Sequence, residues 1–306
     1  MLPIKVSVQA APRDLESWLV LARRLESEGF EALLAADHPG TGPSPWPALG
    51  AAAVATDRLK LGTYVLQAGV RDPLHAAADA ATLDVLAPGR VLLGLGAGHT
   101  FREWEVHGLV RPSPSQRAGR LGEFVDAVRR LLDGESVTTT GEHLRLVDAQ
   151  LAEMPSSGRV RLVVGGSNRQ ILRVAAARAD VVALSGLGRT LSDGHQHDVR
   201  WAQQDVDGQL ALIRAECDRS GTAPEIEALV HVVALTDDRA GTLKQFSEEH
   251  GVSIAELQHT PFVLVGTLEQ MATQLVGQAE RLGITRYVVR EPAVEPIAQV
   301  LGLLHR

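Results

Sequence analysis

Gly89-Arg-Val-Leu-Leu-Gly-Leu-Gly-Ala-Gly-His-Thr-Phe-Arg-Glu-Trp-Glu105 is the stretch that decides the fold. Val91 to Leu93 is apolar without polar alternation, the pattern of a strand buried on both faces. It opens into Gly94, Gly96 and Gly98, where bare backbone lets a flat ligand approach closely. His99, Arg102, Glu103, Trp104 and Glu105 follow at once. A buried strand ending in glycines and titratable groups predicts a site at the carboxyl end of a parallel strand.

The same unit recurs along the chain. Apolar β-rich runs begin near Ile4, Ala32, Lys60 and Arg90, each followed by a helical pattern. The first helix spans Leu15 to Glu28, with Leu15, Trp18, Leu19, Ala22 and Leu25 on one face and Gly29 closing it. The second runs from Pro47 to Ala55 and the third from Pro73 to Leu86, Pro73 suiting a first turn. Beyond Gly98 come a long helix, Gln116 to Leu132, and a polar hairpin, Val137 to Leu146, around Thr140-Gly141. Strands resume at Arg161–Val164, Val181–Leu184, Ala228–Leu235 and Thr285–Val289. Eight strands alternating with helices predict an α/β fold, a (β/α)8 barrel with an insertion loop after strand six. No linker or break in composition interrupts residues 1–306, so a single domain is expected. The segment from Gly186 to Gln204 is too long for a routine connection and is expected to overhang the site.

Composition bounds the function. Apolar residues make up 45% of the 306 and charged ones 22%, as in an ordinary soluble globular protein. A formal net charge of −7 argues against nucleic acid as the main partner. The single cysteine, Cys217, permits no internal disulfide and fits a reducing compartment. Pro3 to Val8 reads as a strand and not as a signal peptide. No apolar run reaches the ~18–20 residues of a membrane span, so a cytoplasmic protein without a membrane partner is expected.

The chemistry is expected where strands end. Strand two ends in Ala36-Asp37-His38, an imidazole able to donate or accept a proton beside a carboxylate that can orient it. Strand three ends in Gly62-Thr63-Tyr64-Val65-Leu66, and Arg71-Asp72-Pro73 reads as a plain helix start. Strand five ends in Gly165-Gly166-Ser167-Asn168 and feeds the helix Arg169 to Arg178, a ready pocket for a phosphate. Strand six adds Ser185 and Gly186 beside it. Three motifs carry less. The GxGxxG of a dinucleotide turn fails at His99, and no helix is expected to open directly after the glycines. His195-Gln-His197 lacks the further ligands of a metal site and reads as a solvated loop, so no metal is expected. The Asp237-Asp238 and Glu248-Glu249 pairs read as exposed helix-end charges.

The ordered set of landmarks resembles the luciferase-like monooxygenase family, and within it the oxidoreductases dependent on coenzyme F420, a deazaflavin. It comprises Gly29-Phe30, Ala36-Asp37-His38, Arg58 to Thr63, Ala80 to Asp84 and Gly89 to Gly98. Gly119-Arg-Leu, the Gly141 to Leu146 hairpin, Val164-Gly-Gly166, Ala179-Asp180 and Val265-Gly266-Thr267 continue it. The resemblance covers nearly the whole chain. It implies a barrel with the cofactor ring at the strand carboxyl ends. Asp37 and His38 would lie beside the ring, with His38 in proton transfer and Asp37 orienting it. Tyr64-Val65 would form a non-proline cis peptide supporting the ring, and Gly96, Ala97 and Gly98 the backbone turn near it. Gly165, Gly166, Ser167, Ser185 and Gly186 would receive the phosphate. A homodimer is implied, with an interface near the second to fourth units.

The departures from that pattern bear on substrate. Relatives acting on sugar phosphates carry a glutamate where this chain has His99, and a lysine just after strand six where Leu187 stands. Their loss argues against glucose 6-phosphate. His99, Glu103 and Trp104 are the candidate contacts to an unidentified small organic substrate, Trp104 being equally suited to packing the barrel mouth. The expected reaction is hydride transfer between deazaflavin C5 and that substrate. Two other readings stay open: an FMNH2-dependent monooxygenase using O2, and a non-catalytic flavin-binding barrel.

Overall fold

Strand β1 (Lys5–Ala10) turns Val6 and Val8 outward into the main core and leaves Ser7 between them for the barrel interior. The structure, a computed structural model, describes residues 4–191 and 197–305. Strands β2 (Ala32–Ala35), β3 (Lys60–Gln67) and β4 (Val91–Gly96) follow, then a hairpin of β5 (Val137–Thr140) and β6 (Arg145–Ala149). Next come β7 (Arg161–Gly166), β8 (Val181–Leu184), a second hairpin of β9 (Leu187–Thr190) and β10 (His197–Val199), and β11 (Glu225–Leu229). The last are β12 (Val232–Leu235), β13 (Val263–Gly266) and β14 (Ile284–Arg290). Eight of them close a parallel barrel in the order β1-β2-β3-β4-β7-β8-β11-β14 and back to β1.

Helices α1 (Leu15–Ser27), α2 (Pro45–Ala55), α3 (Pro73–Leu86), α4 (Phe101–Val106), α5 (Pro114–Leu132) and α6 (Arg169–Arg178) accompany the first five barrel strands. Helices α7 (Gln203–Ser220), α8 (Arg239–His250), α9 (Ile254–His259), α10 (Leu268–Leu282) and α11 (Val294–Leu304) accompany the rest. The expected (β/α)8 barrel is therefore present, and the main core fills the layer between strands and helices. In α1 the Asp14 side chain accepts the Ser17 N–H, and Gly29 just beyond takes φ +81°. Trp18, Ala22 and Leu25 are buried as expected, whereas Leu15 is 65% exposed. Cys217 is a half-buried residue of α7. No helix among the described residues is long and apolar enough to cross a membrane.

Several sequence expectations need correction. Strand seven starts earlier than Ala228 and stops at Leu229. The run from Val232 to Leu235 instead leaves the barrel and pairs with β13. An apolar run cannot reveal where a chain steps from one sheet to another, because both segments are buried. The insertion after strand six is not irregular throughout, since β9 and β10 pair in antiparallel fashion. A short helix, α4, opens after the glycines, two residues beyond His99.

The barrel interior is layered. At the amino-terminal end lies a charge network. Arg286 of β14 is fully buried, with Nε 3.4 Å from Glu227 and Nη1 3.5 Å from both Glu31 and Glu225. Lys60 pairs with Glu31 at 2.6 Å, Lys5 with Glu225 at 3.1 Å, and Arg161 also with Glu225. Burial pushes the Glu227 carboxyl up even against the pull of Arg286. For Glu225, burial is outweighed by Arg161, Arg286 and Lys5, which hold it at about 2. Above this floor Ala32, Leu34, Tyr64, Leu92, Val163, Val181, Ala183, Leu229 and Val288 fill the lumen. Only the carboxyl-terminal end is left to receive a ligand.

Arg286→Met leaves three carboxylates around an apolar side chain and is expected to cost about 3–5 kcal/mol in urea unfolding. Glu225 is depressed from 4.5 to about 2, so its contribution is complete above pH 4.5 and lost as pH falls through about 2. Acid unfolding monitored by circular dichroism checks this: Glu225→Gln should flatten the loss of stability in that window.

Candidate active site

The floor of the mouth is made by what glycines omit. Between Thr63 and Leu66, β3 advances three residues while β4 advances two, from Leu93 to Leu95, so β3 carries one extra residue. The Tyr64–Val65 peptide within this bulge is cis, as the family resemblance implied. Its carbonyl, on Tyr64, accepts a hydrogen bond from Gln9 Nε2 at 2.6 Å. The bulge lays Val65 across the neighbouring strands. A Cβ on Gly96 would lie 2.4 Å from Val65 Cγ2, and one on Gly94 would lie 2.1 Å from the Thr63 carbonyl oxygen. Gly94 and Gly96 are thus bare because β3 presses on them, and not because a ligand does. Gly165 differs, since its Cβ would meet only ordinary contacts with Val65 and Ala183 at 3.6 and 3.7 Å. Val65, Gly165 and Ala183 lie together at this end of the barrel, where a larger side chain at 165 would fill the space beside them.

At the rim, His38 Nδ1 lies 2.6 Å from Oε1 of Glu103, which is 1% exposed. The Glu103 hydrogen bond raises the His38 pKa against the opposing effect of burial, and the charges of Glu103 and Asp37 add to the rise. Asp37 was expected to orient His38, but its carboxylate is engaged elsewhere. It accepts from Arg71 Nε and Nη2 at 3.1 and 2.6 Å and from the Gln67 N–H at 3.1 Å. Asp37 acts on His38 through its charge alone, and Glu103 supplies the hydrogen bond. Arg71 had been read as part of a plain helix start; only Asp72 does that work, accepting from the Leu74 and His75 N–H groups.

Glu103 and Trp104 are both buried beneath the rim. Their carboxylate and indole are buried because α4 turns them inward under the rim. Trp104, 2% exposed, packs on the bare backbone of Gly69, where a Cβ would come within 2.3 Å of the ring. It walls a separate cavity of about 400 Å³ between α5 and the β5–β6 hairpin, lined also by Leu109, Arg120 and His143. Its alternative reading, as packing, is the one the structure supports. Gly98 takes φ +74° and abuts the Gln67 side chain. Ala97 is half-buried beside it.

His99 remains at the mouth. Its ring lies 6.1 Å from that of His38 and 4.3 Å from that of His197, both edge-on. His197 belongs to β10 and is half-buried against His99, so it is not the solvated loop residue expected. His195 lies outside the described residues. Among the described residues no group of three or more His, Cys, Asp or Glu could hold a metal ion.

On the opposite side, Gly165, Gly166 and Ser167 lead into α6, whose Asn168 cap accepts the Gln170 N–H at 2.8 Å. The Ser167 hydroxyl donates to the Leu187 carbonyl, and the Leu187 N–H donates to Ser185 Oγ at 3.3 Å. The two serines therefore bind the root of the insertion hairpin, just beyond Gly186 with its φ of +66°. A phosphate here would be met by the amides of the α6 N-terminus. The sequence reading missed His231, two residues past β11. Its Nε2–H donates to the Ser185 carbonyl at 2.7 Å, and burial pushes its pKa down to about 4, so it is neutral at pH 7. A histidine just beyond a strand end was the available signal, but the misplaced end of strand seven hid it.

The carboxyl-terminal end of this closed (β/α)8 barrel carries a histidine–carboxylate pair on one rim and the N-terminus of α6 on the other. The chain belongs to the luciferase-like monooxygenase family, whose model matches residues 1–286. It is similar to the F420-dependent glucose-6-phosphate dehydrogenase of Beutenbergia cavernae, 38% identical over 192 residues, or 60% of this chain. That match spans only 56% of the relative's length. Among solved structures it is similar to the coenzyme F420-dependent tetrahydromethanopterin reductase of Methanopyrus kandleri. The TM-score is 0.76 at 18% identity, covering 98% of this chain and 97% of that one. It is also similar to a long-chain alkane monooxygenase, with a TM-score of 0.77 at 16% identity over 100% of this chain and 92% of that one. These two likenesses are of fold.

Glu103→Gln removes the carboxylate that raises His38, so the His38 pKa should fall toward the ordinary imidazole range. Histidine NMR titration of wild type and variant measures this, and an unchanged His38 midpoint would show that Glu103 does not set it. The stabilisation from charged His38 is complete below the unfolded imidazole value and is lost as pH rises through the raised folded value.

Proposed function

We propose that this protein is an F420-dependent oxidoreductase that moves a hydride between the deazaflavin and a small organic substrate. The observation that carries the reading is His38 held by a buried carboxylate at the carboxyl-terminal rim of the barrel. The name of the Beutenbergia relative supports F420 over FMN. Val65, Gly165 and Ala183 would support the ring, and Gly166, Ser167 and the α6 N-terminus would hold its phosphate. When bound, the deazaflavin supplies or accepts a hydride at C5; the protein orients it and excludes water.

The protein's own groups handle the proton. Hydride transfer to a carbonyl or imine carbon leaves an oxygen or nitrogen that needs one proton. The imidazolium of His38, favoured by the Glu103 hydrogen bond, would donate it, and in the oxidative direction neutral His38 would accept it. His99 and neutral His231 shape the substrate side. With His99 and Leu187 where a glutamate and a lysine would stand for a sugar phosphate, we read the substrate as something other than glucose 6-phosphate. The exposed Val54, Val85 and Leu86 of α2 and α3 support a homodimer built on those helices.

Titration with oxidised F420 and FMN, followed by absorption, tests the cofactor. F420 is expected to bind more tightly, and tight FMN binding without F420 binding would overturn the proposal. Gly165→Leu should fold with a nearly wild-type melting curve yet lose ring binding. His38→Ala should lower turnover by about 10²-fold or more, and the wild-type reductive rate should fall as pH rises through the His38 pKa.

A further inference from the structure

Two arginines stand outside the machinery described above. The other inward guanidiniums are accounted for: Arg71, Arg129 and Arg286 face carboxylates, and Arg90 and Arg120 are held largely by backbone carbonyls. Arg111 and Arg117 are not. Arg111 donates one Nη2 hydrogen to Thr190 Oγ1 at 3.2 Å and lies 4.2 Å over the Phe101 ring. Arg117 donates from Nη1 to the Pro112 carbonyl at 2.6 Å. The Nε of each is buried with no acceptor. Among the described residues neither has a carboxylate within 4.0 Å.

Like charge is concentrated here. Burial lowers the pKa of both guanidiniums, and the Arg111 charge adds to the effect on Arg117, which falls to about 10. Arg117 also sits in the first turn of α5, where the helix end is itself positive. Two half-buried guanidiniums beside a helix N-terminus destabilise one another unless an anion joins them.

Their position ties them to the mouth. Thr190 ends β9, whose first residue, Leu187, is bound by Ser167 at the proposed phosphate cradle. Three strand steps from Leu187 to Thr190 span about 10 Å. Thr190 is also paired with His197, which packs on His99. A ligand leaving the mouth along the hairpin would therefore meet Arg111 about 10 Å beyond the cradle. Planar guanidinium forks suit carboxylates in particular.

We propose that Arg111 and Arg117 form a second anion subsite at the outer edge of the mouth, binding carboxylates of a ligand that extends from the barrel. The carboxylates have two sources, a γ-linked glutamate tail on the cofactor or an acidic substrate. Only the first rests on the F420 reading.

The probe is tetra-γ-glutamate alone, measured by calorimetry against the whole protein. Wild type should bind it, more weakly as salt rises, and Arg111→Gln and Arg117→Gln should each lose about tenfold in affinity. Competition separates the sources. Displacement by glutamylated F420, but not by F420 lacking glutamates, identifies the tail; retention of the peptide with glutamylated F420 bound identifies an acidic substrate. Failure of either F420 form to change the absorption spectrum would defeat the cofactor reading while leaving peptide binding as the test of the subsite. No peptide binding by wild type, or equal binding by both Gln variants, overturns the proposal. Arg111→Lys and Arg117→Lys keep the charge and guard against misfolding in the Gln variants. They should bind with intermediate affinity, and wild-type affinity in both would equally overturn it.

Discussion

Arg286 is the constraint on which the rest of the molecule depends. A guanidinium with no exposure to water can remain charged only if carboxylates surround it, and these come from distant parts of the chain. Glu31 precedes β2, Glu225 and Glu227 lie on β11, and Arg286 itself lies on the strand that closes the barrel. The pairing of first and last units is thus fixed by charge as well as by backbone hydrogen bonds. It also fills one end of the lumen, so ligand chemistry is confined to the other.

At that other end, shape comes from the β3 bulge, and two separate carboxylates hold the rim. The extra residue in β3 pushes Val65 over Gly94 and Gly96 and brings it beside Gly165. Asp37 fastens the rim by tying β2 to Arg71 and to the Gln67 amide. Glu103 holds the histidine. Were one acid to do both jobs, every change in His38 protonation would disturb the Asp37–Arg71 link. Strand β9 of the insertion is anchored at its root by Ser167 and farther out by Arg111.

The sequence was readable wherever a local pattern had a local cause. Val91–Leu93, Val181–Leu184 and Pro73–Leu86 fall where hydrophobic period and helix starts placed them. The hairpin around Thr140-Gly141 does too. It was misleading wherever a partner lies far away. Asp37 is adjacent to His38 in the chain and was paired with it, yet the bonding partner, Glu103, is 65 positions on. Trp104 and Glu103, read as substrate contacts from their position past the glycines, are turned inward by a six-residue helix too short to show a period. His231 was hidden by an apolar run that continues across two sheets.

The amino-acid order alone determined that strands and helices alternate, that eight strands form a barrel, and that glycines, Asp37 and His38 collect at its carboxyl-terminal end. Those features follow from periodicity and from the chemistry of strand ends, which act over a few residues. Tertiary structure alone decided which carboxylate serves His38 and why Gly94 and Gly96 must be bare. It also decided that Arg111 and Arg117 come together with no carboxylate of the described residues paired to either. Charge and steric exclusion act through space, and only the closed barrel brings those residues within reach of one another.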